Sequence, residues 1–504
     1  MAAPNVLRLH PTDDVVIAMR RLRAGEPLEG ERGVAAAEPI APGHKAASRS
    51  IDAGEAVRKY GQVIGAATAA IAPGAHVHTH NLSISALRGA AANSNWRAPA
   101  QPERSFAGYR RASGKVGVRN YVGVLTSVNC SATVARHIAE AAERRGLLAN
   151  FPGVDGVVPI THASGCGMAG AGEGFDILRR TLFGTAANPN FAAILLVGLG
   201  CEVVQVGKLK ADFGLADGPD FATLTIQESG GTRATIEAGL ERLTAMLPAA
   251  NAARRLPCPA SELVLGLQCG GSDAWSGVTS NPALGNASDR LAALGGTVIL
   301  SETPEIYGAE HLLLARAAND EAAEKLKRRL AWWEGYTRAN GVTMDNNPSP
   351  GNKAGGLTTI LEKSLGAVAK AGASPLLDVI EYAEPLKSRG LVFMDSPGFD
   401  PCSATGQVAS GATMIAFTTG RGSAFGCKPS PSIKLSSNTA IYRRMEEDID
   451  IDCGPIANGE ASIEEKGAEI LERLLAVASG EPSKSEALGY GGMEFVPWQV
   501  GAVM

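Results

Sequence analysis

Residues 121–145 read YVGVLTSVNCSATVARHIAEAAERR, and this stretch decides the fold class. Residues 121–128 are mostly apolar, as in a strand that is covered on both faces. Ser131 then opens a segment with helical spacing of apolar residues, for which serine is a suitable N-cap. The order of strand, loop and helix recurs after VDGVVPITH (154–162), and FAAILLVGLGC (191–201) is a further strand with its loop. This repeated unit predicts an α/β fold with mostly parallel sheets.

The flanking regions predict three domains. Residues 1–90 alternate short apolar runs with polar and glycine turns, which indicates a small β-rich domain. Residues 91–105 lose the apolar periodicity and contain two prolines, so we expect a linker there. The first α/β domain is predicted over 106–250 and a C-terminal α/β domain over 259–504. The second of these contains four further strand candidates: 263–268, 296–302, 390–396 and 412–419.

Composition excludes several classes of protein. The 504 residues are 45% hydrophobic and carry a net charge of −4, so several cores can form but no basic face for nucleic acid is expected. The longest apolar run has 11 residues, fewer than the ~18 of a membrane span. The N-terminus has no apolar signal core, which predicts a cytoplasmic protein. Eight cysteines without a CxxC pair indicate neither a disulfide framework nor a zinc ribbon.

Glycine is in excess, and its positions are informative. It makes up 60 of the 504 residues, about 12% against a typical ~7%. The clusters GCGMAGAG, GLGC, QCGGSD, SPGNKAGG and TTGRG lie directly after or between apolar runs. Glycine-rich loops at strand ends are typical of binding sites, because they allow close approach of the backbone to a ligand.

Reactive side chains follow the predicted strands. Loops after parallel strands converge at one edge of a sheet, where ligands bind. The residues at these positions are metal ligands, acids, bases or anion binders: Cys130, His162, Cys166, Cys201, Glu202, Cys269, Asp273, Glu302, Asp400, Cys402 and Arg421. A buried cysteine is also common as inert packing, so the group as a whole carries the prediction and no single member does.

Three histidines lie within five residues at the end of the β-rich domain: His76, His78 and His80. In a strand, side chains two residues apart share one face, about 6.6 Å apart, so the three rings would project together. Such a group suits a borderline divalent ion such as Fe(II), Mn(II) or Zn(II). The alternative is an exposed strand end with three ordinary histidines.

Two glycine loops are typical of anion-binding turns. Residues 347–353 (NPSPGNK) combine rigid turns with Lys353, and residues 418–422 (TTGRG) place Arg421 between glycines. Exposed backbone N–H groups and one cation bind carboxylate or phosphate well. No GxxxxGK[ST] and no GxGxxG follows a strand, so neither ATP nor NAD is predicted as a cofactor.

Several long segments resemble the altronate/galactarate dehydratase family. They are 106–130, 198–202 (GLGCE), 268–285 (QCGGSDAWSGVTSNPALG), 301–305 (SETPE), 347–356 (NPSPGNKAGG) and 418–422. The resemblance spans nearly the whole chain in order, and it identifies residues 1–90 as similar to the family's SAF domain. Residues 76–81 (HVHTHN) are closer to the altronate branch, whereas residues 154–167 are closer to the galactarate branch.

The resemblance implies dehydration of a sugar acid to its 2-keto-3-deoxy acid with a divalent metal, Fe2+ first and Mn2+ second. Altronate is the favoured substrate, and galactarate or another β-elimination on a hydroxy acid is the alternative. We expect the three histidines to hold the metal, with cysteines or carboxylates of the α/β loops completing the site. Lys353 and Arg421, with Asn352 and Ser272 of the same loops, are expected to bind the substrate. The candidates for base or acid are His162, Asp273 and Glu302.

Three alternatives or additions accompany this hypothesis. An iron–sulfur cluster held by three or four of the thiolates of Cys130, Cys166, Cys201 and Cys269 would be a different Lewis acid. A non-enzymatic sugar-acid binding protein is the other function class. The expected partner is a small anionic sugar acid, without nucleic acid or membrane, and a homo-oligomer is expected for an enzyme of this size.

Overall fold

A computed structural model describes residues 4–84, 96–100 and 102–501. The end of the predicted N-terminal domain and part of the predicted linker (85–95 and 101) lie outside the described residues. The described chain has an N-terminal β-rich region and two parallel sheets with helices, so the predicted fold class is confirmed. No described helix combines the length and the apolar character needed to span a membrane.

The N-terminal region is built from short antiparallel strands. They form two sheets, with strand orders β1-β2-β3-β6 and β4-β5-β7. Apolar residues of the second sheet, such as Val57 and Ile64, belong to the same core as apolar residues of the C-terminal sheet. The N-terminal region therefore packs firmly on the C-terminal one. Its strands are β1 (Val6–Leu7), β2 (Val15–Ala18), β3 (Lys45–Ala47), β4 (Ala56–Lys59), β5 (Gln62–Ala67), β6 (His76–Val77) and β7 (Leu82–Ser83).

The middle region has a four-stranded parallel sheet. Two short strands, β8 (Ser105–Arg110) and β9 (Val116–Gly117), precede it. The sheet has the order β11-β10-β12-β13, and its apolar residues pack on helices of both faces. Its strands are β10 (Tyr121–Thr126), β11 (Gly156–Ile160), β12 (Phe191–Gly198) and β13 (Phe221–Thr225), and its helices are α1 (Ala132–Arg144), α2 (Glu173–Ala186), α3 (Val206–Phe213) and α4 (Thr232–Ala252).

The C-terminal region contains a seven-stranded parallel sheet. Strand β14 (Leu256–Pro259) pairs with β8 and leads into it. The strands are β15 (Val264–Cys269), β16 (Thr297–Ser301), β17 (Leu376–Ile380), β18 (Gly390–Met394), β19 (Met414–Thr419), β20 (Ser432–Ser436) and β21 (Ile451–Asp452), in the order β17-β18-β16-β15-β19-β20-β21. The order reverses direction next to β15, and such switch points open a crevice at the carboxyl ends of the strands.

Helices cover both faces of this sheet. Helix α10 packs on α2 of the middle region, which joins the two parallel sheets side by side. The carbonyl of Ala409 lies so close to Gly184 that a side chain there would clash with it. The helices are α5 (Ser280–Ala293), α6 (Glu310–Leu314), α7 (Asp320–Ala339), α8 (Pro350–Ala354), α9 (Ile360–Ala369), α10 (Asp400–Ser410), α11 (Thr439–Arg444), α12 (Ile463–Ala478) and α13 (Lys484–Ala487).

Candidate active site

A cleft of about 540 Å³ opens at the carboxyl ends of β15, β19 and β20. Its lining includes the side chains of Arg421, Arg444 and Asn438 from the C-terminal region, and Met19 and Pro42 from the N-terminal region. Two guanidinium groups and an amide make it suited to an anion that carries hydroxyl groups. The cleft therefore lies between two regions of the chain, at the sheet edge where the sequence predicted a ligand.

Glycines position Arg421 at this edge. The backbone N–H groups of Gly420 and Arg421 both donate to the carbonyl of Gly271, at 3.1 and 2.9 Å, which joins the loop after β19 to the loop after β15. Gly271 has φ of +63°, a conformation that side chains rarely adopt. Gly420 lies against Asp273 so closely that a Cβ atom there would be 2.2 Å from its carboxyl carbon. The two glycine clusters thus pack against each other and present Arg421 to the cleft.

Asp273 organises the wall of the cleft. Its Oδ1 accepts hydrogen bonds from Ser276 and from Ser437 Oγ at 2.8 Å, and its Oδ2 accepts one from Asn438 Nδ2 at 3.1 Å. Burial raises the pKa of Asp273, while these donors oppose that rise. Burial is the larger effect, so the net pKa of Asp273 lies above its ordinary value and does not count against its predicted role as acid or base. The structure places this predicted acid or base at the cleft as a residue that positions Asn438.

The loop at 347–356, which the sequence predicts to bind the substrate, is held in place by side-chain hydrogen bonds. Asn352 is buried in a capping box with Ser349, and its Nδ2 donates to the carbonyl of Ser272 at 2.8 Å. Ser272 is buried as well. These two predicted substrate-binding residues therefore hold the loop to β15. The backbone carbonyl of Lys353 lies 3.0 Å from His78 Nε2, so the same loop contacts the histidine group.

The predicted histidines do come together, with a fourth ring. Ring centroids of His76 lie 5.3 Å from His78 and 5.6 Å from His80, and His44 lies 5.1 Å from His76. The strand β6 ends at Val77, so His78 and His80 reach the group through a turn and not through the predicted strand. The amide of Asn81 closes this turn, because its Oδ1 accepts from the His78 N–H and its Nδ2 donates to the His76 carbonyl.

The histidine group is accessible and suits a divalent ion. His44 Nδ1 lies 3.0 Å from His76 Nε2, and two nitrogens bound at a right angle with bonds of about 2.1 Å lie about 3.0 Å apart. The His44 ring also bonds to the carbonyl of Ala354, the kind of outer contact that orients metal-binding histidines. Burial, then neighbouring rings, lowers the pKa of His76 to about 3. One pair of nitrogens thus has the spacing of two metal ligands, and a bound ion would require further rings to turn toward it, because no three nitrogens of the described histidines lie within 4.8 Å of one another.

A second group of titratable side chains lies buried at the ends of β15 and β16. One ligand atom from each of Cys269, Glu302 and Glu305 falls within 4.8 Å of the other two, the one such trio found among residues that the structure describes. Lys370 Nζ lies 3.0 Å from Cys269 Sγ and 3.9 Å from Glu302 Oε2, and Lys363 Nζ lies 2.6 Å from Glu305 Oε1. Two ammonium groups already neutralise this trio.

The charges in this buried group are uneven. Burial raises the pKa of Glu302, and the neighbouring Glu305 raises it further. Burial also acts to raise the pKa of Glu305, but Lys363 and Lys370 outweigh it and lower that pKa to about 2. Burial and the Glu305 charge raise the pKa of Cys269 to about 12, so its thiol is protonated and donates to Glu305 at 3.2 Å. A metal ion here would have to displace Lys370, so this trio has the closer spacing of ligand atoms but its charge is already compensated.

Two features single out Glu302 and Asp400. Glu302 has φ of +75°, and neither of its buried carboxyl oxygens accepts a hydrogen bond from the described residues. Strain and unpaired polar atoms of this kind are typical of functional sites. Burial, together with the Glu305 charge, raises the pKa of the partly buried Asp400 to about 7. A Cβ atom at Gly270 would lie 2.4 Å from Asp400 Oδ2. The Asp400 carboxyl group therefore lies next to the glycine loop after β15, the loop that is bonded to Arg421.

The remaining predicted residues lie in the middle region. His162 is buried, and its Nε2 donates to the Thr126 carbonyl at 3.0 Å while its Nδ1 accepts from the Ser164 N–H at 3.3 Å. Both ring nitrogens are thus engaged, and the structure does not bring His162 to the cleft with Asp273. Cys130, Cys166 and Cys201 are exposed at the end of the four-stranded sheet, whereas Cys269 is buried in the seven-stranded one. The predicted four-cysteine set is therefore divided between two sheets.

Sequence reasoning missed several residues of these groups. His44 lies two residues before Ala46, which pairs with His76 across β3 and β6, so only the strand pairing reveals it. Arg444 and Asn438 frame the short helix α11, which has no long apolar pattern. Lys363 lies on α9 and Lys370 directly follows that helix, and both ammonium groups are buried within or next to an apolar run.

Comparison with known proteins identifies the family. Three sequence profiles match in order: the altronate/galactarate dehydratase SAF domain at residues 4–85, the second domain of D-galactarate dehydratase/altronate hydrolase at 108–251, and the D-galactarate/altronate dehydratase C-terminal domain at 260–503. Altronate dehydratase of Bacillus subtilis is 35% identical over 481 residues, which cover 94% of this chain and 95% of that protein. The chain belongs to the altronate/galactarate dehydratase family. The resemblance drawn from the residues is confirmed.

Two further members of this dehydratase family show its range. Galactarate dehydratase (L-threo-forming) of Escherichia coli is 38% identical over 488 residues, covering 94% of this chain and 93% of that protein. The beta subunit of (2R)-sulfolactate sulfo-lyase of Chromohalobacter salexigens is 35% identical over 396 residues, 78% of this chain and 97% of that protein. These relatives are thus named for a dehydratase and for a sulfo-lyase, at 38% and 35% identity to this chain.

Proposed function

We propose that this protein is a hydro-lyase that dehydrates a sugar acid to its 2-keto-3-deoxy acid. The observation that carries the proposal is the juxtaposition of two arginines in one cleft with an accessible group of histidines against the same 347–356 loop. Its relatives named altronate dehydratase and galactarate dehydratase support the same reaction class. A dehydratase needs these parts, because it must hold a carboxylate, acidify the neighbouring C–H bond and help hydroxide to leave.

His44, His76, His78 and His80 are the residues we propose to hold the divalent ion, with Fe2+ favoured and Mn2+ possible. When bound, such an ion supplies Lewis-acid stabilisation of the enediolate that forms when the C–H proton leaves. Arg421 and Arg444 bind the substrate carboxylate by paired hydrogen bonds, and Asn438 donates to or accepts from a hydroxyl group. Positioning by Asp273 keeps Asn438 at this edge.

Proton transfer is the role we propose for Asp400 with Glu302. Efficient acid–base catalysis needs a pKa near the working pH, and a carboxyl group raised to about 7 meets this need. Burial and the neighbouring Glu305 charge also raise the pKa of Glu302, so this carboxyl group favours its protonated form more than an ordinary glutamate does. Such a pair can accept a proton at one group and donate one from the other.

The pH profile tests Asp400. We expect kcat/KM of the native enzyme to rise through pH 7, because Asp400 must lose its proton before it can accept one. The Asp400→Asn variant should lose this rising limb and about a hundredfold in kcat, at the low end of what general acid–base groups contribute. Asp212→Asn, which alters a carboxylate paired with Arg179 on the surface of the middle region, is the control. A rising limb that persists in Asp400→Asn would assign it to another group.

Arg421 is expected to act in binding. Loss of one charged carboxylate contact should raise KM about tenfold to a hundredfold in Arg421→Met, with a smaller change in kcat. Arg443→Met is the matched control, because Arg443 adjoins Arg444 in α11 but does not line the cleft. Steady-state kinetics of the two variants with one sugar acid decide the point, and an unchanged KM in Arg421→Met would remove Arg421 from the binding site.

The identity of the acid follows from a substrate panel. Altronate is our favoured substrate, while two arginines on one cleft also favour a diacid such as galactarate, whose second carboxylate would occupy the second guanidinium. The panel contains altronate, galactarate and (2R)-sulfolactate, with release of keto acid or sulfite as the readout. If Arg444→Met raises the KM for galactarate more than the KM for altronate, the binding of a diacid by two arginines is supported. Binding without any product would instead favour a sugar-acid binding protein.

A further inference from the structure

Three of the eight cysteines are exposed, and all three lie at one edge of the four-stranded sheet. Cys130 follows β10, Cys166 follows β11 and Cys201 follows β12, and these strands are neighbours in the order β11-β10-β12. The other five cysteines are buried. Cysteine is among the most often buried residue types, so three exposed thiols at adjacent strand ends indicate a function for the thiol groups.

Backbone hydrogen bonds draw the three cysteine loops together. The N–H of Asn129, next to Cys130, donates to the Ser164 carbonyl at 2.9 Å. The N–H of Val203, two residues after Cys201, donates to the Gly165 carbonyl at 3.0 Å. Because neighbouring strands lie about 4.8 Å apart, loops that leave three adjacent strands start within about 10 Å of one another. The loop of Cys166 is thus bonded to both of its neighbours.

The close approach of these loops depends on glycine. Gly165, directly before Cys166, has φ of +97°, and a Cβ atom there would lie 2.4 Å from the Ser127 carbonyl oxygen. Gly200, directly before Cys201, has φ of +128°. Both positions exclude other residues for backbone reasons, so each of these two cysteines is presented by a glycine that lets its loop turn tightly.

Buried polar side chains brace the loops from below. His162 links the Thr126 carbonyl to the Ser164 N–H, as described above. Glu202 Oε1 accepts from Ser127 Oγ at 2.7 Å, and Oε2 accepts from the Gly200 N–H at 2.6 Å. Two residues that the sequence marked as candidate site residues therefore fix the loops that carry Cys166 and Cys201. This rigid support is what a preformed ligand site requires.

We propose that Cys130, Cys166 and Cys201 bind a [4Fe–4S] cluster through three thiolates. Thiolates select soft metal centres, chiefly zinc, copper(I) and iron–sulfur clusters. A single zinc ion with Zn–S bonds of about 2.3 Å holds its thiolates about 3.8 Å apart. The three sulfur atoms do not lie within 4.8 Å of one another, so they are too widely spaced for one ion. A cluster binds each thiolate on a different iron and so spans a wider set of sulfurs.

The fourth iron of this cluster has no cysteine to bind it. Cys269 would complete the set by sequence order, but it lies buried in the other parallel sheet between Lys370 and Glu305. The cluster site is also distinct from the histidine group, which lies on the N-terminal region. The proposal is therefore independent of the proposed function, and it stands or fails on cluster content and not on turnover.

The test is anaerobic reconstitution of the full chain with ferric iron and sulfide in excess thiol, which reduces part of the iron and so supplies both oxidation states of the cluster, followed by desalting. We expect a brown protein with a broad band near about 400 nm and about four iron and four sulfide per chain. Acid-labile sulfide is the deciding readout, because iron at the histidine group brings no sulfide. The triple variant Cys130→Ser, Cys166→Ser, Cys201→Ser should retain almost no acid-labile sulfide. The control Cys258→Ala, which removes a buried cysteine, should contain as much sulfide as the native chain.

Three outcomes would overturn the proposal. Equal sulfide in the triple variant and the native chain would show adventitious iron sulfide. A colourless protein with one zinc per chain that the triple variant loses would assign a zinc site. A disulfide would be assigned if no cluster can be reconstituted and the native chain loses two free thiols under air. Reductant should then restore these two thiols, and the triple variant should show no such loss. If reconstitution fails while the sugar-acid panel gives keto acid, only the cluster proposal falls.

Discussion

The variant His76→Ala is expected to lose its divalent metal and almost all turnover. His76 is central to the histidine group, because its ring lies within 5.1–5.6 Å of the His44, His78 and His80 rings and its Nε2 is 3.0 Å from His44 Nδ1. Loss of an outer partner of a metal ligand costs 10–100-fold in affinity, so loss of a ligand itself should weaken Fe2+ or Mn2+ binding and lower kcat/KM about a thousandfold. Metal per chain and keto-acid release at limiting metal are the measurements.

A matched histidine variant provides the control. His137 lies exposed on α1 beside Glu140, so His137→Ala removes an imidazole without touching the group. It should keep both metal and turnover. If His76→Ala keeps the native metal content, the metal is not bound by the histidine group. The next candidate site would then be Cys269, Glu302 and Glu305. Native metal content with low turnover would instead show that His76 contacts the substrate.

The fold could be predicted because its decisive strands are buried on both faces. Continuous apolar runs such as 191–198 and 414–419 are too short to span a membrane and are typical of buried strands. Both form central strands of parallel sheets. Strand β20 escaped notice because it contains Lys434, whose Nζ is buried and donates to the Phe425 carbonyl and to Ser485. A charged residue inside a strand is invisible to a hydrophobic pattern when its partners come from distant segments.

Candidate residues of the site could be predicted by type but not by partner. The rule that polar residues gather at strand ends found Asp273, Glu302 and Arg421, which all lie at one edge of the seven-stranded sheet. It could not show that Asp273 is held by serine hydroxyls, because Ser437 lies 164 residues away. Ser131 illustrates the same limit, since it begins α1 as expected but its hydroxyl donates to Val128 and Val197 carbonyls instead of capping the helix.

The N-terminal region is held to the C-terminal one by a buried carboxylate that the sequence did not predict. Glu362 of α9 lies wholly buried between two lysines of the N-terminal strands. Lys45 Nζ is 2.9 Å from its Oε2, and Lys59 Nζ is 2.8 Å from its Oε1. Thr358 donates to the same carboxylate from its hydroxyl at 2.6 Å. Since the N-terminal region supplies His44 and Pro42 to the site, this contact connects stability with function.

Glu362→Gln is therefore expected to loosen the N-terminal region. Removing one partner of a buried ion pair costs about 3–5 kcal/mol, because the remaining charges stay buried without compensation. Hydrogen exchange of amides in β3 and β4 should speed up about 10²–10⁴-fold, which corresponds to that loss. Glu237→Gln, which alters an exposed pair with Arg145, should leave these amides unchanged. Unchanged exchange in Glu362→Gln would mean that apolar packing alone holds the two regions together.

The pH dependence of this variant gives a second and independent test. Burial already lowers the pKa of Lys45 to about 8 even with Glu362 present, and without the carboxylate it should fall further. The unfolded chain then binds more protons than the folded one between that lowered pKa and the ordinary lysine value of about 10.4, so stability rises with pH in this window. The exchange defect of Glu362→Gln should thus be largest below the lowered pKa of Lys45 in the variant. It should shrink as the pH rises from there to about 8, because in this window the folded variant has lost the Lys45 proton that the folded native chain still holds. If the defect stays constant with pH, its cause would be altered packing around Thr358, because packing does not depend on protonation.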